Sequence, residues 1–224
     1  MGFGPRFDVS HTLGKGDAAR EVIVTMRPAR EGDGADLARY LEDFTVQQFV
    51  MLQGGPTVRD EDEWLERTRA NADIIAWIVT VTDGEQETLV GTTALQRQPG
   101  NRLTSGILFA NRALWGQGIA SLTHRLRTWY AFCELGAYAI GSAYVEENQA
   151  SGRALQGVGY IETGRELRWH FTAGRWHDKV SLVCYNPLTI RVLWPDGDVP
   201  ESVMAGLKLT TAALDRAASY LFLR

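Results

Sequence analysis

The feature that most constrains this chain is a strand running through two glycines into a helix. Residues 105–110 (Ser-Gly-Ile-Leu-Phe-Ala) form an apolar run, and Gly116-Gln117-Gly118-Ile119-Ala120 follows after a short loop. Beyond it Ile119, Leu122, Leu126, Trp129, Tyr130 and Cys133 recur at helical spacing. Glycines at such a junction let the backbone come close to a ligand, and the first N–H groups of the helix have no partner inside it. That end of a helix carries about half a positive charge, which suits a phosphate.

The spacing restricts which phosphate ligand is meant. No Gly-Lys-Ser/Thr follows, so this is not a nucleotide P-loop, and Ser121 stands where the third glycine of a dinucleotide fingerprint would fall. A nucleotide-binding reading would also require a phosphate-facing lysine and magnesium ligands, and neither is found. The run Trp115-Gly116-Gln117-Gly118-Ile119-Ala120 resembles the pyrophosphate loop Q/R-x-x-G-x-G/A of the GNAT superfamily of acetyl-CoA-dependent N-acetyltransferases, departing from it at Trp115. Its Trp-Gly-x-Gly-Ile-Ala form is similar to that of the Rim-type ribosomal-protein N-terminal acetyltransferases.

A second segment, Asn148-Gln-Ala-Ser-Gly-Arg-Ala-Leu-Gln-Gly-Val-Gly-Tyr160, resembles the Asn-x-x-Ser…Gly-Phe stretch that follows the fifth strand in that branch. Taken alone, Asn148 or Ser151 is an ordinary cap of a short helix. The resemblance implies more: an α/β (α+β) GNAT fold, whose mixed, mostly antiparallel sheet splays between its fourth and fifth strands and is flanked by helices. It also implies acetyl-CoA as co-substrate, with no metal. The pyrophosphate would lie on residues 115–120 (Trp115, Gly116, Gln117, Gly118, Ile119, Ala120). The pantetheine arm would run along Ile107, Leu108 and Phe109, touching Asn148, with Ser151 near the sulfur.

The catalytic groups are less regular. Many family members place an acidic tyrosine seven residues after the asparagine, where this chain has Leu155, so Ser151 is the remaining proton donor. The carboxylate that often precedes the glycine of the fourth strand is missing from Thr104-Ser105-Gly106. In the ribosomal-protein branch the base can lie on the sixth strand, which points to His170, and strand alternation would put Glu166, Arg168 and His170 on one face. Glu147 is the second candidate and His177 a weaker one, while His11 and His124 read as surface residues. No Cys/His/Asp cluster has metal-ligand spacing.

The expected activity is acetyl transfer by direct attack of a primary amine, in a ternary complex, on the thioester of acetyl-CoA. The acceptor is a peptide or protein α-amine or a small-molecule amine. Against it stands a non-catalytic GNAT-like module that binds CoA and signals through its C-terminal extension; thiol release with an amine panel separates the two. The formal charge of −4, with 23 basic residues scattered among 224, offers no concentrated basic face for nucleic acid. No apolar run is long enough to span a bilayer and no signal-like core opens the chain, so a cytoplasmic protein without a membrane partner is expected. The two cysteines, Cys133 and Cys184, sit among apolar residues and read as reduced core thiols.

Along the chain, residues 1–20 read as a flexible arm and 21–187 as the acetyltransferase domain. The expected strands are Glu21–Met26, the hairpin Ile74–Thr82 and Leu89–Leu95, then Leu103–Ala110 and Ala137–Val145. A last hairpin follows at Glu166–Phe171 and Val180–Tyr185. Helices are expected around Leu37–Leu41, over Val46–Leu52, after Thr57, after the glycine loop, and over Ser151–Val158. Residues 188–224 form an extension, strand-like over Leu188–Trp194 and helical from about Glu201. Its apolar face would pack on the domain or seat a second subunit in a homodimer.

Overall fold

The computed structural model describes residues 2–50 and 54–222. An open eight-stranded, mostly antiparallel sheet carries the fold, in the order β1-β2-β3-β4-β5-β6-β8-β7. The strands are β1 (Phe7–Leu13), β2 (Arg20–Arg27), β3 (Ile74–Asp83), β4 (Gln86–Gln98), β5 (Arg102–Phe109), β6 (Ala139–Val145), β7 (Ile161–Thr172) and β8 (Arg175–Tyr185). The helices are α1 (Asp33–Leu41), α2 (Phe44–Gln47), α3 (Val58–Ala70), α4 (Ile119–Trp129), α5 (Gln149–Gln156), α6 (Ile190–Leu193) and α7 (Glu201–Phe222). The chain divides into two compact units, Met1–Ala94 with Ile107–Ile119, and Leu95–Gly106 with Ala120–Arg224.

In the first unit, Ile75 to Val81 of β3 are all buried, the polar Thr80 included. Ile78 packs with Leu37 of α1, Leu65 of α3 and Leu89 of β4. The acidic start of α3 is explained by a capping box: the Thr57 hydroxyl and the Asp60 carboxylate each take the other's backbone N–H. The helix expected over Val46–Leu52 is shorter than anticipated, since α2 ends at Gln47, and Met51 to Gln53 lie outside the described residues.

The expectation of a flexible arm over residues 1–20 is corrected. Phe7, Val9 and Leu13 alternate with polar residues and are buried, and β1 pairs with β2 from Phe7–Met26 to Leu13–Arg20. Ahead of it, Gly4 N–H donates to Ala76 O and Ala76 N–H to Gly2 O, both at 3.0 Å. The Trp77 indole N–H is satisfied by Pro5 O at 2.9 Å. A Cβ at Gly4 would lie 2.1 Å from the Trp77 ring, so glycine is required there. The four glycines of this stretch obscure a period-two pattern that begins only at Phe7.

In the second unit, β6 pairs antiparallel with β8, and β8 with β7. On its other side β6 meets β5 in a short parallel ladder, Arg102–Ala139, Leu103–Ile140 and Thr104–Gly141. That ladder gives way to side-chain bridges, Ser105 Oγ to Gly141 O and Ser142 Oγ to Ser105 O, both at 3.3 Å. The next carbonyl, Gly106 O, accepts from the wholly buried guanidinium of Arg127 at 2.9 Å.

The C-terminal extension also departs from expectation in part. Leu188–Trp194 contains the short helix α6 and no strand, because Asn186 turns the chain by accepting from Leu188 N–H at 2.9 Å. The long helix α7 is as expected, and packs on β8 and β7 of its own chain. Val203, Leu207, Thr210, Ala213, Leu214 and Ala217 are buried on it, while Met204 and Leu209 stay exposed. Gly159 makes the close crossing possible, since a Cβ there would lie 2.2 Å from Thr210 Oγ1. Cys184 is buried beneath this crossing, 3.3 Å from Thr210 Oγ1, and burial pushes its thiol up to about 12. Cys133, expected in the core, is exposed at the end of a π-helical turn, Tyr130–Glu134, that shifts it off the buried face of α4.

Candidate active site

The glycine loop is held by the first unit. Asn111 is buried at the end of β5 and caps the turn Arg112–Leu114 by accepting from Ala113 N–H at 3.1 Å. Its amide donates to Tyr40 OH at 3.0 Å and to Leu89 O at 3.2 Å. Trp115, the residue that departs from the loop pattern, donates its indole N–H to Phe109 O at 2.9 Å. Gly116 and Gly118 both occupy the left-handed region, φ 73° and 79°, where a side chain would be strained. A Cβ at Gly116 would meet nothing within 4 Å, so the loop is open on that side. Ile119 is buried and starts α4, so the chain passes from two left-handed glycines straight into a helix whose first N–H groups lack internal partners.

The loop is also tied to β1. His11 Nε2 lies 2.6 Å from Gln117 O, and Gly14 N–H donates to Gln117 Oε1 at 2.9 Å. His11 is thus half-buried against the loop rather than a surface residue.

The second unit contains the other candidates. Asn148 caps α5, its side chain accepting from Ser151 N–H at 3.1 Å, which leaves its amide hydrogens for any ligand. Ser151 is half-buried, and Leu155, in the position of the family's acidic tyrosine, is buried in the core. Next to the cap, Glu147 Oε2 lies 2.5 Å from Nδ1 of His177, a residue only 4 % exposed. The other ring nitrogen of His177, Nε2, faces Thr172 O at 3.1 Å. A carbonyl can only accept, so Nε2 carries a hydrogen.

His170 stands opposite His177 across the β7–β8 ladder. The alternation expected to put Glu166, Arg168 and His170 on one face does not hold. Two register-matched pairs, Glu166–Lys179 and His170–His177, are separated by three residues on β7 and one on β8. Arg168 inside this bulge has φ 50°, and its N–H donates to Asp178 Oδ1 at 2.9 Å. His170 Nε2 is buried without a hydrogen-bond partner. Sequence reasoning therefore found Glu147, His170 and His177 separately and missed the pairing, which depends on a bulge that carries no composition signal.

The remaining histidine, His124, is buried in the second unit and accepts at Nδ1 from the Arg127 guanidinium at 2.8 Å. Burial, reinforced by Arg127, holds it neutral, well below the usual histidine range. Among the described residues no group of three or more His, Cys, Asp or Glu side chains could hold a metal ion, and no helix is long and apolar enough to cross a membrane.

A strand–glycine loop–helix on an open, mostly antiparallel sheet, with a capped asparagine helix after the next strand, defines an acyl-CoA-binding transferase. Residues 24–161 match the family model described as an acetyltransferase (GNAT) domain, and the chain belongs to that family: it is an acyltransferase whose co-substrate is acetyl-CoA. No curated protein sequence matches it. Among solved structures, Mycobacterium smegmatis RimJ in complex with CoA-disulfide is similar at a TM-score of 0.68 and 17 % identity, over 95 % of this chain and 96 % of that one. Spermidine N-acetyltransferase from Vibrio cholerae, in complex with CoA and spermine, gives a TM-score of 0.65 at 16 % identity, over 73 % of this chain and 95 % of that one. A GNAT-family acetyltransferase from Bacillus anthracis gives 0.63 at 18 % identity, over 80 % and 98 %.

Proposed function

We propose that this acyltransferase moves the acetyl group of acetyl-CoA to the α-amine of a peptide or protein, by direct attack in a ternary complex. The observation that carries the choice of acceptor is the state of the carboxylates around the β7–β8 hairpin. Glu146 and Glu162 both bind Arg165, Glu166 binds Lys179, and Glu147 is engaged with His177. A polyamine carries several positive charges and needs several unpaired carboxylates to hold it; around this hairpin four are paired, and Asp178 accepts the Arg168 N–H. The chemistry agrees. Making a lysine-like amine neutral at neutral pH costs roughly 4 kcal/mol, whereas an α-amine, with a reference pKa near 7.7–8.0, costs only about 1 kcal/mol. One modest base suffices.

In this mechanism the N–H groups of residues 116–120 hold the pyrophosphate of CoA, beside Trp115. The family resemblance assigns Ile107 to Phe109, and separately the Asn148 amide, to the pantetheine arm. Glu147 removes the proton from the attacking amine, and His177 orients the carboxylate and holds it in place. The amine nitrogen bonds to the thioester carbon, the C–S bond breaks, and Ser151 Oγ–H donates to the leaving thiolate. His170, opposite His177, flanks the pair in place of serving as the base itself. A cytoplasmic setting follows from the donor.

The test is thiol release from acetyl-CoA with three acceptors: a peptide with a free N-terminus, the same peptide α-blocked but carrying lysine, and spermidine. Turnover confined to the free α-amine is the expected result. Preference for spermidine would overturn it.

A further inference from the structure

We propose that β1 belongs to the cofactor site, with His11 as the positioning residue that sets the glycine loop for pyrophosphate. The proposal rests on the assignment of residues 116–120 to the CoA pyrophosphate and adds an element from the opposite end of the first unit. Both polar ends of Gln117 are engaged by β1 and the turn after it: its main-chain carbonyl by His11 Nε2 at 2.6 Å, its side-chain carbonyl by Gly14 N–H at 2.9 Å. The carbonyl can only accept, so Nε2–H is the donor.

In a trans peptide the C=O and N–H point in opposite directions. Fastening Gln117 O onto β1 therefore turns the N–H of Gly118, which shares that peptide, away from His11. A hydrogen bond received at the oxygen also polarises the peptide and makes its N–H a stronger donor. The ring is in contact as well, since a Cβ on Gly118 would lie 3.3 Å from His11 Cε1.

The tie matters because the loop is built from the residues with the most conformational freedom. Gly116 and Gly118 visit many backbone states when unrestrained, and a site present for only a fraction of the time binds more weakly by that fraction. The anchor itself is rigid: β1 is paired along its length with β2, and Thr25 Oγ1 donates to Asp8 Oδ1 at 2.7 Å.

The experiment compares acetyl-CoA with acetyl-pantetheine, which carries the same thioester and no pyrophosphate. His11→Ala should raise the Kd for CoA by calorimetry, and the KM for acetyl-CoA, by about tenfold, the loss expected of one hydrogen bond. It should leave kcat/KM for acetyl-pantetheine unchanged. His11→Gln, whose amide N–H still reaches a carbonyl, should recover most of the affinity for CoA. Equal losses with both donors would show a merely structural role and overturn the proposal, as would wild-type affinity for CoA in His11→Ala. Gly118→Val in parallel separates the two levels: if it too binds CoA normally, the loop assignment fails with the positioning role, whereas if it alone loses binding, only the role of His11 falls.

Discussion

Glu147 and His177 are thirty residues apart in the chain, and only the fold makes them one group. The carboxylate is legible in the sequence because it precedes Asn148, at the start of a motif that local spacing defines. Its partner is not, because the contact is made through the register of β7 on β8. If the pair accepts the amine proton, Glu147→Gln should lower kcat by about 10²-fold or more while the Kd for CoA by calorimetry stays that of the parent. His177→Asn should lose less, and Ser151→Ala less again. A second residue-scale prediction concerns His124. Its folded pKa is held well below 6.5 by burial and Arg127, whereas in the unfolded chain it binds its proton near that value. Below pH 6.5 the unfolded state therefore holds the extra proton, and stability falls with decreasing pH by about 1.4 kcal/mol per unit until the folded pKa is reached. Above pH 6.5 the contribution is constant. Urea midpoints of His124→Gln should accordingly decline less steeply than those of the parent between pH 6.5 and 5.

Among the elements, those with strong local patterns were readable and those set by distant partners were not. The apolar run of β3, the glycine junction before α4 and the Thr57 cap of α3 each carry their signal within a few residues. β1 carries one too, Phe7, Val9 and Leu13, but glycines on either side dilute it. The bulge in β7 and the substitution of α6 for a strand depend on contacts made elsewhere. The packing of α7 is of the same kind, and it hinges on Gly159, whose φ is 101°. Gly159→Ala adds strain in the left-handed region to a clash with Thr210 Oγ1 and Gly206 O, so a loss of about 2–5 kcal/mol is expected. A melting curve within a degree or two of the parent would show that α7 can move aside.

At the scale of the whole molecule, family membership was legible because the glycine loop is contiguous, whereas Glu147 and His177 come from separate segments. The feature with the widest consequence is the bulged β7. It is the last strand of the sheet, and residues 162–168 are exposed on both faces. A long bare strand of that kind is a template on which another chain can add its own strand, the first step toward aggregation. The two extra residues between Glu166 and His170 bend it and interrupt the row of outward N–H and C=O groups, and Arg165 and Arg168 add charge. The irregularity that hid the Glu147–His177 pair from sequence reasoning is thus expected to keep this edge from recruiting another chain. Deleting Leu167 and Arg168 straightens the strand, and light scattering on that variant should show association that grows with concentration while the parent stays at constant mass.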